Sequence, residues 1–225
     1  MMNQDPIQIK KPEGARIAAI VPAFNEERTI RGAIRFIRDN LPEIDQIIVV
    51  NDGSSDRTAD IVREEYGVDL VDLAENRGKG GALRAGLEAT DAQIILLLDA
   101  DLVGLTRKHV ADLLAPVLDG RAKTTMGIFT GGRFMTDLAQ KVAPQLSGQR
   151  AILREILEGA PIDDARYGVE VAINRHLEEL GVPIHEVELP NVSQVVKEEK
   201  YGVVQGFKKR VNMYYEVFKT LLTGK

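Results

Sequence analysis

The chain has 225 residues, of which 44% are hydrophobic, and this is enough apolar material to build one sizeable core. It contains no cysteine, so disulfide bonds, thiolate zinc sites and cysteine nucleophiles are excluded. The formal net charge of -5 gives no general attraction to nucleic acid, so we expect no nucleic-acid partner and expect any polyanion to be bound through a local site or a metal.

Short apolar runs alternate with helical patterns in the first half of the chain. Such alternation is typical of a parallel, doubly wound sheet with helices on both faces, so we predict an α/β fold. Pro22 is expected to end the first strand, and Asn25 to cap the helix that follows it. Ser55 or Asp56 is expected to cap the next helix. The predicted strands cover 17–21, 46–50, 69–73, 93–98 and 124–129, and the predicted helices begin near Glu26 and cover 58–66, 76–87 and 106–118.

The second half has a looser pattern, because glycines and prolines interrupt several helical pieces. The spacing predicts a helix over 164–180, an alternating strand over 183–189 and an amphipathic helix over 203–222. We interpret these segments as loops and helices laid over the open edge of the sheet. The sequence contains no linker or internal repeat, so a single domain over 1–225 is predicted.

Two carboxylates follow an unbroken apolar run at 94–98. The run is too short to span a membrane and has no polar face, so we interpret it as the central strand of the sheet. Asp99 and Asp101 then lie where this strand leaves the core, two residues apart and on one side of the extended chain. Two such carboxylates repel each other unless a cation or several donors neutralise them. Mg²⁺ or Mn²⁺ beside a diphosphate suits that position.

A glycine-rich segment at 76–87 opens the third predicted helix. Its glycines and Lys79 stand at the helix start, where backbone N–H groups and a cation can approach a phosphate or a base. The spacing is not that of a Walker A loop, and no G-x-G-x-x-G follows the first strand, so a dinucleotide fold is disfavoured.

Four motifs occur in one order: P-A-F-N-E at 22–26, V-N-D-G-S-S-D-R-T at 50–58, N-R-G-K-G-G-A at 76–82 and L-L-D-A-D-L at 97–102. Together they resemble the family 2 glycosyltransferases. The resemblance implies the GT-A fold, a Rossmann-like, mostly parallel sheet flanked by helices that binds a nucleotide sugar. It is close over about 16–103, the nucleotide-sugar-binding half, and looser over about 104–225, the acceptor-side half.

The resemblance also implies a role for each motif and Mg²⁺ or Mn²⁺ as the cofactor. The residues of P-A-F-N-E would line the nucleoside pocket, with Glu26 close to the ribose, while Asp52 would accept a hydrogen bond from uracil or guanine. Lys79 would close over the base, Asp99 would lie near the ribose or the metal, and Asp101 would be the principal metal ligand. The nucleotide-sugar-binding residues implied in this way are Pro22, Ala23, Asn25, Glu26, Asp52, Lys79, Gly80, Asp99, Ala100 and Asp101.

Two segments of the second half resemble acceptor-side motifs of glucosyl-3-phosphoglycerate synthases and polyprenyl-phosphate glycosyltransferases. They are L-S-G-Q-R at 146–150 and Y-G-V-E at 167–170. Arg150 suits an anionic acceptor such as a phosphate, and a surface ion pair is the alternative. The implied acceptor-binding residues are Ser147, Gly148, Arg150 and Glu170.

The catalytic base and the third metal ligand are less defined. Inverting members of the family use a carboxylate to deprotonate the acceptor hydroxyl, and Glu170 and Asp164 are the candidates, although Asp164 equally suits a helix cap. Retaining members need no such base, and the sequence leaves the stereochemistry open. Gln194 stands where a histidine completes the metal shell in the synthases, so it is the candidate third ligand after Asp101 and Asp99, directly or through water.

The sequence therefore predicts a metal-dependent hexosyltransferase that moves a hexose from a UDP- or GDP-sugar to a hydroxyl or phosphate-bearing acceptor, which is either small and phosphorylated or lipid-linked. One alternative is a sugar nucleotidyltransferase, which is expected to carry a glycine- and arginine-rich loop where this chain has P-A-F-N-E. The other is a catalytically silent nucleotide-sugar-binding protein. A cytoplasmic location is expected, since the first residues lack the apolar segment of a signal peptide. The basic start and apolar face of 203–222 would suit peripheral contact with a membrane, but such a helix more often packs on its own domain or on a second subunit of a homodimer.

Overall fold

The computed structural model describes residues 9–130, 147–163 and 168–195. The strands are β1 (Ile17–Ala23), β2 (Gln46–Asp52), β3 (Asp69–Leu73), β4 (Ile94–Leu97), β5 (Leu102–Val103), β6 (Thr125–Thr130), β7 (Arg150–Leu153), β8 (His185–Pro190) and β9 (Ser193–Gln194). The main sheet has the order β3-β2-β1-β4-β7, in which the first four strands are parallel and β7 is antiparallel to β4. Two smaller sheets accompany it, an antiparallel β5–β9 pair and a parallel β6–β8 pair.

Helices cover both faces of the main sheet. They are α1 (Ile30–Asn40), α2 (Thr58–Arg63), α3 (Gly78–Glu88), α4 (Arg107–Leu118), α5 (Arg154–Gly159) and α6 (Val169–Glu179). Ile17, Ala19 and Val21 of β1 face a core shared with α1, α2 and α4. Ala18 and Ile20 face the opposite core, shared with α3, α5 and α6. Because both faces are covered, the inner strands are continuous apolar runs, and the predicted mostly parallel α/β fold is confirmed.

Two predictions about the main sheet are wrong in detail. The strand before Asp99 is interior but not central, because β1 occupies the middle of the sheet and β4 lies between β1 and β7. The first strand does not stop at Pro22 but continues to Ala23. Ile20 accepts a backbone hydrogen bond from Leu98, so Pro22, two residues on, faces the same side, where β4 has ended and no ladder N–H is needed.

Asn25 does not cap the first helix, which begins only at Ile30. Its backbone has a φ of 57°, in the left-handed region that asparagine tolerates better than most residues. Its side-chain Oδ1 accepts a hydrogen bond from the N–H of Ser55 at 2.9 Å, and its own N–H donates to Ser54 Oγ at 2.9 Å. Asn25 therefore joins the loop after β1 to the loop after β2.

A buried carboxylate fastens α1 to the chain just beyond α2. The side chain of Glu65 is 3% exposed, and Arg35, Arg38 and Arg31 of α1 donate hydrogen bonds to it at 3.0, 2.9 and 2.6 Å. These hydrogen bonds, those of Arg35 and Arg38 above all, lower the pKa of Glu65 to about 2. The carboxylate therefore stays ionised at neutral pH and keeps its ion pairs with the three arginines of α1.

The later elements follow the predictions where they are described. The strand predicted at 124–129 is β6, the strand predicted at 183–189 is β8, and the helix predicted at 106–118 is α4, capped by Thr106. Within the helix predicted at 164–180, α6 begins at Val169, and 164–167 lie outside the described residues. The amphipathic helix predicted over 203–222 also lies outside them. In the described segments no helix is long and apolar enough to cross a membrane.

Candidate active site

The carboxyl ends of β1, β2 and β4 meet at one edge of the main sheet. β1 ends at Ala23, β2 ends at Asp52, and β4 is followed by Leu98 and Asp99. In open α/β sheets, ligands bind in the crevice outside the carboxyl ends of the strands. Three of the four sequence motifs therefore lie along the edge where a ligand is expected, and we call it the donor edge.

The loops that follow β1 and β2 are bound to each other. The N–H of Glu26 donates to Thr58 Oγ1 at 2.8 Å, and Glu26 Oε2 accepts from Thr29 Oγ1 at 2.7 Å. Asp56 Oδ1 accepts from the N–H of Thr58 at 2.9 Å, but the N-cap of α2 is Arg57, which makes no side-chain cap hydrogen bond, so the prediction that Ser55 or Asp56 caps this helix is wrong. The P-A-F-N-E corner is therefore held in place by the neighbouring loop.

Asp52 is buried at the end of β2, with 4% of its surface exposed. Its Oδ1 accepts a hydrogen bond from the N–H of Arg77 at 2.7 Å, and its carbonyl accepts from Asn76 Nδ2 at 3.1 Å. Burial raises the pKa of Asp52, and the amides of Arg77 and Gly78 oppose that rise. Asp52 therefore ties the glycine-rich segment to the donor edge.

Lys79 stands in the first turn of α3 between two carboxylates. Its Nζ donates to Asp99 Oδ1 and to Glu170 Oε1, each at 2.7 Å, and we call these three side chains the Lys79 cluster. Burial acts to lower the pKa of Lys79, but the charges of Asp99 and Glu170 outweigh burial and raise it. Burial likewise acts to raise the pKa of Asp99, but Lys79 holds it below its usual range. Lys79 thus joins the donor edge to an acceptor-side residue.

Both carboxylate oxygens of Asp99 are engaged. Oδ2 accepts hydrogen bonds from Nε2 of Gln149 at 2.6 Å and from Nε2 of Gln194 at 2.7 Å. The backbone N–H of Asp99 donates to Oε1 of Gln149 at 3.0 Å. Gln149 is fully buried, and its side-chain amide binds both the carboxylate and the backbone N–H of Asp99. The orientation of Asp99 is therefore fixed by residues from the second half of the chain.

Asp101 and Gln194 are brought together by the small β5–β9 sheet. Leu102 pairs with Gln194, and the carbonyl of Asp101 accepts a hydrogen bond from the N–H of Val195 at 3.0 Å. Asp101, Asp99 and Gln194 carry oxygen ligands of the kind that Mg²⁺ or Mn²⁺ prefers. In this conformation both oxygens of Asp99 accept hydrogen bonds and Gln194 turns its amide nitrogen toward Asp99, so these side chains must reorient to bind a metal. Residues 9–130, 147–163 and 168–195 contain no group of three or more His, Cys, Asp or Glu side chains that could hold a metal. The remaining ligands would therefore come from a diphosphate or from water.

Arg150 is fully buried at the start of β7. Its Nη2 donates to the carbonyl of Ser147 at 3.3 Å and to Asn174 Oδ1 at 3.1 Å, while Nε and Nη1 have no hydrogen-bond partner in the described parts of the chain. Burial lowers the pKa of Arg150 to about 10, and the charge of Glu170 opposes that shift. Arg150 is therefore not the surface ion pair of the alternative interpretation. In this conformation its guanidinium has no exposed surface for an acceptor, so the phosphate clamp stays a prediction.

Gly148 lets its segment approach the Lys79 cluster closely. A Cβ atom at this position would lie 2.5 Å from Nζ of Lys79, 3.2 Å from Oε1 of Glu170 and 3.3 Å from Oδ1 of Asp99. A methyl group would therefore displace the ammonium of Lys79. Ser147, the residue before, is half-buried, and Gly148 lines the small cavity that the Lys79 cluster also lines.

The structure gathers most of the predicted site residues along one edge. Asp164 lies outside the described residues, and Gly80 and Ala100 are buried beneath the edge. Sequence reasoning did not single out Gln149 or Asn174. Gln149 belongs to the L-S-G-Q-R segment, which was a signal for it, whereas Asn174 carries no motif. The predicted residues that surround the Lys79 cluster or belong to it are Lys79, Asp99, Gly148, Arg150, Glu170 and Gln194.

Comparison with known sequences identifies related proteins. The model of the family described as glycosyl transferase family 2 matches residues 18–165. The chain is 30% identical to the glucosyl-3-phosphoglycerate synthase of Petrotoga mobilis over 202 residues, which cover 74% of this chain and 62% of the relative. It is also 30% identical to the dolichyl-phosphate beta-glucosyltransferase of Dictyostelium discoideum over 169 residues, which cover 69% of this chain and 48% of the relative. The chain thus spans less than two thirds of the length of these relatives.

Comparison with solved structures gives the same result. A crystal structure of the Mycobacterium tuberculosis glucosyl-3-phosphoglycerate synthase with Mn²⁺, UDP and glucosyl-3-phosphoglycerate matches with a TM-score of 0.75 and 27% identity, covering 93% of this chain and 80% of that chain. A structure of that enzyme with Mg²⁺ and UDP matches with a TM-score of 0.73 and 28% identity, covering 93% of this chain and 79% of that chain. The predicted GT-A fold is therefore confirmed. From the family match, the two relatives and the shared fold, the chain belongs to glycosyl transferase family 2.

Proposed function

We propose that this protein is a metal-dependent hexosyltransferase that moves a hexose from a UDP-sugar to a phosphate-bearing or hydroxyl acceptor. The Lys79 cluster carries the proposal, because it joins the donor edge to the acceptor side through hydrogen bonds of 2.7 Å. UDP is preferred over GDP because the similar Mycobacterium tuberculosis enzyme was crystallised with UDP and with UDP-glucose. A phosphate-bearing acceptor is preferred because the names of the two relatives specify 3-phosphoglycerate and dolichyl phosphate.

The nucleoside is proposed to bind at the ends of β1 and β2. The P-A-F-N-E corner forms one wall of this pocket, with Glu26 toward the ribose, and Asp52 accepts a hydrogen bond from the base. Because Asp52 is buried, a hydrogen bond to its carboxylate is stronger there than in water. The corner is already fixed by the loop after β2, so little ordering of the backbone would oppose binding.

The diphosphate is proposed to bind beside Lys79 and the acidic pair that follows β4, which assigns Lys79 to the diphosphate and not to the base, because its ammonium contacts Asp99 of that pair. Mg²⁺ or Mn²⁺ would be held by Asp101, Asp99 and Gln194, and when bound it supplies the positive charge that stabilises the departing nucleoside diphosphate. Lys79 adds a second positive charge beside the diphosphate. Gln149 keeps Asp99 oriented throughout, since it holds the backbone and the side chain together.

The acceptor is proposed to approach from the side of Ser147, Gly148 and Glu170. Glu170 lies in the first turn of α6 and its carboxylate contacts Lys79, so we propose that it accepts a hydrogen bond from the acceptor hydroxyl. If the reaction inverts the anomeric carbon, Glu170 is our first candidate for the base that takes the hydroxyl proton, and Asp164 is the second.

The first experiment measures thermal unfolding with UDP, GDP, ADP and their sugar diphosphates, each with and without Mn²⁺ or Mg²⁺. A ligand present at 100 times its dissociation constant stabilises a protein by about 2.7 kcal/mol, which is an easily measured shift. We expect UDP or a UDP-sugar to stabilise the wild type in a metal-dependent manner and Asp101→Ala to lose that response. Asp91→Ala is the matched control, since Asp91 is exposed at the opposite end of β4, paired with Arg16.

A second step separates transfer from silent binding. The stabilising donor is incubated with the metal and a set of phosphorylated and hydroxyl acceptors, and release of the nucleoside diphosphate is followed. Release that depends on acceptor supports transfer, and tight binding without release would support the silent protein. No stabilisation by any nucleotide under any metal condition would contradict the proposed function as a whole.

A further inference from the structure

The environment of Arg150 is unusual for a buried arginine. A buried guanidinium is normally paired with a carboxylate, often through two parallel hydrogen bonds. Among the described residues no carboxylate binds Arg150, and its Nη2 contacts a carbonyl, an amide oxygen and the sulfur of Met126. Its Nε and Nη1 are buried without a hydrogen-bond partner among the described residues. An unpaired buried charge is costly, so this arrangement needs a physical reason.

The acidic group that acts electrostatically on Arg150 is Glu170. Both residues line one small cavity together with Lys79, Asp99 and Gly148. Asn174, one helical turn after Glu170 on α6, already binds Arg150 at 3.1 Å, and residues four apart lie on the same face of a helix. Arg150 is therefore next to the helix face that carries Glu170.

Glu170 is bound at present to the cation on its other side. Its Oε1 accepts from Nζ of Lys79 at 2.7 Å, and Lys79 also binds Asp99. One ammonium thus binds two carboxylates, while the guanidinium beside them binds no carboxylate in the described parts of the chain. A diphosphate arriving at Lys79 would meet both carboxylates, and the repulsion is relieved if one of them moves away.

We propose that Arg150 is a positioning residue for Glu170, which leaves Lys79 and pairs with Nε and Nη1 of Arg150 when the diphosphate of the donor takes up Lys79. This inference rests on the proposed function, since it requires a diphosphate at Lys79. The exchange gives Arg150 the partner that it lacks, frees Lys79 for the diphosphate, and fixes Glu170 in the donor-bound state, when an acceptor must be oriented. Because the guanidinium gains an ion pair only in the donor-bound state, this pairing favours donor binding.

The proposal predicts opposite effects of one substitution on the two states. Arg150→Met removes a buried unpaired charge and keeps an unbranched apolar side chain, so it should raise the melting temperature of the free protein by a few degrees. The same change removes the partner of Glu170 in the bound state, so it should weaken binding of UDP with Mn²⁺ by about tenfold. Arg150→Lys keeps the charge without the planar fork and should give an intermediate affinity.

The experiment measures UDP affinity by calorimetry, with Mn²⁺ present, together with thermal unfolding of the free protein. The variants are Arg150→Met, Arg150→Lys, Glu170→Gln and the double variant of Arg150→Met with Glu170→Gln. In the Glu170→Gln background, Arg150→Met should cause no further loss of affinity, because its effect acts through the Glu170 carboxylate. Arg154→Met is the matched control, since Arg154 pairs with Glu158 on α5 and should leave UDP affinity unchanged.

Each outcome decides the inference. If Arg150→Met lowers the melting temperature and leaves UDP affinity unchanged, Arg150 is merely structural and the inference is overturned. Equal losses of affinity with and without the Glu170 carboxylate would also overturn it, because Arg150 would then act on the nucleotide by another route. If the wild type binds neither UDP nor any other nucleotide, the proposed function fails first and the inference fails with it. That case is recognised from the wild type alone.

Discussion

The donor edge and the acceptor side of this protein are assembled in different ways. On the donor edge, contacts join neighbouring strand-loop-helix units, as where Asn25 meets Ser55 across 30 positions of the chain and Asp52 meets Arg77 across 25. On the acceptor side, contacts span far more of the chain, 50 positions for Gln149 with Asp99 and 95 for Gln194 with Asp99. The donor edge therefore depends on contacts between successive strand-loop-helix units. The acceptor side depends on long-range contacts that converge on one residue, Asp99.

The largest effect is expected where the two regions meet. Asp99→Ala removes the shared partner of Lys79, Gln149 and Gln194, so it should reduce sugar transfer by at least about 100-fold and lower the free energy of unfolding by about 2 kcal/mol. Urea unfolding measures the stability, and turnover with the nucleotide sugar that stabilises the wild type measures the transfer. Asp91→Ala serves as the control. If the Asp99→Ala variant were as stable as the wild type, the contacts of Asp99 would not stabilise the association of the two regions, and the prediction would be wrong.

The acceptor side alone is tested by a smaller change. In Gly148→Ala, the new methyl group occupies space within 2.5 Å of Lys79 Nζ, so the ammonium must move. Because only the end of a flexible side chain is displaced, stability should fall by less than about 1 kcal/mol. Transfer should fall by about tenfold, since the Lys79 cluster is misplaced.

Gly32→Ala is the matched control for that substitution. Gly32 lies in α1 with nothing within 4 Å of the added carbon, so alanine there should increase stability by about 0.5–1 kcal/mol without affecting transfer. A Gly148→Ala protein that transfers sugar at the wild-type rate would contradict the proposed position of Lys79 in the reaction.

How well each region could be predicted from the sequence depends on how far apart in the chain its contacting residues lie. The strand at 69–73 was predicted residue for residue, and the helix at 106–118 to within one position, because apolar periodicity and capping are local signals. Pro22 was misjudged since its tolerance depends on where β4 ends, which is a property of the neighbouring strand. Asn25 was misassigned for the same kind of reason, because its partners lie in the next loop.

The site residues show the same difference between local and long-range signals. Asp99, Asp101 and Lys79 stand out in the sequence because motifs mark them, and Glu170 is marked more weakly. Gln149 was missed as the residue that holds Asp99, because only the antiparallel pairing of β7 with β4 brings it there. The burial of Arg150 was also missed, because the sequence around it predicts an exposed side chain. Its burial results from the packing of α6 and β6 against it.

The smallest effect on sugar transfer is expected from Glu65, which lies on the donor side but away from the edge. Glu65 has a pKa of about 2 in the folded protein, below the ordinary value of 4.5, so its ionised form contributes stability that is complete above about pH 5. That contribution is lost as the pH falls from about 5 toward 2, because the carboxyl is then protonated sooner in the unfolded chain than in the folded protein. Glu65→Gln should therefore unfold more easily than the wild type at pH 7, and the difference should shrink toward pH 2. Thermal unfolding across that range measures it, and a difference that does not change with pH would contradict the role of the carboxylate charge.

The antiparallel strand β7 also determines when the site is completed during synthesis. Once β4 has left the ribosome, β1 to β4 can pair with one another, since their crossovers are short and local. Gln149 and Gln194 are synthesised 50 and 95 residues after Asp99, so among the described partners of its carboxylate Lys79 is the one already present by then. We therefore expect the donor edge to assemble before the acceptor side, which is completed as the last described strands are added.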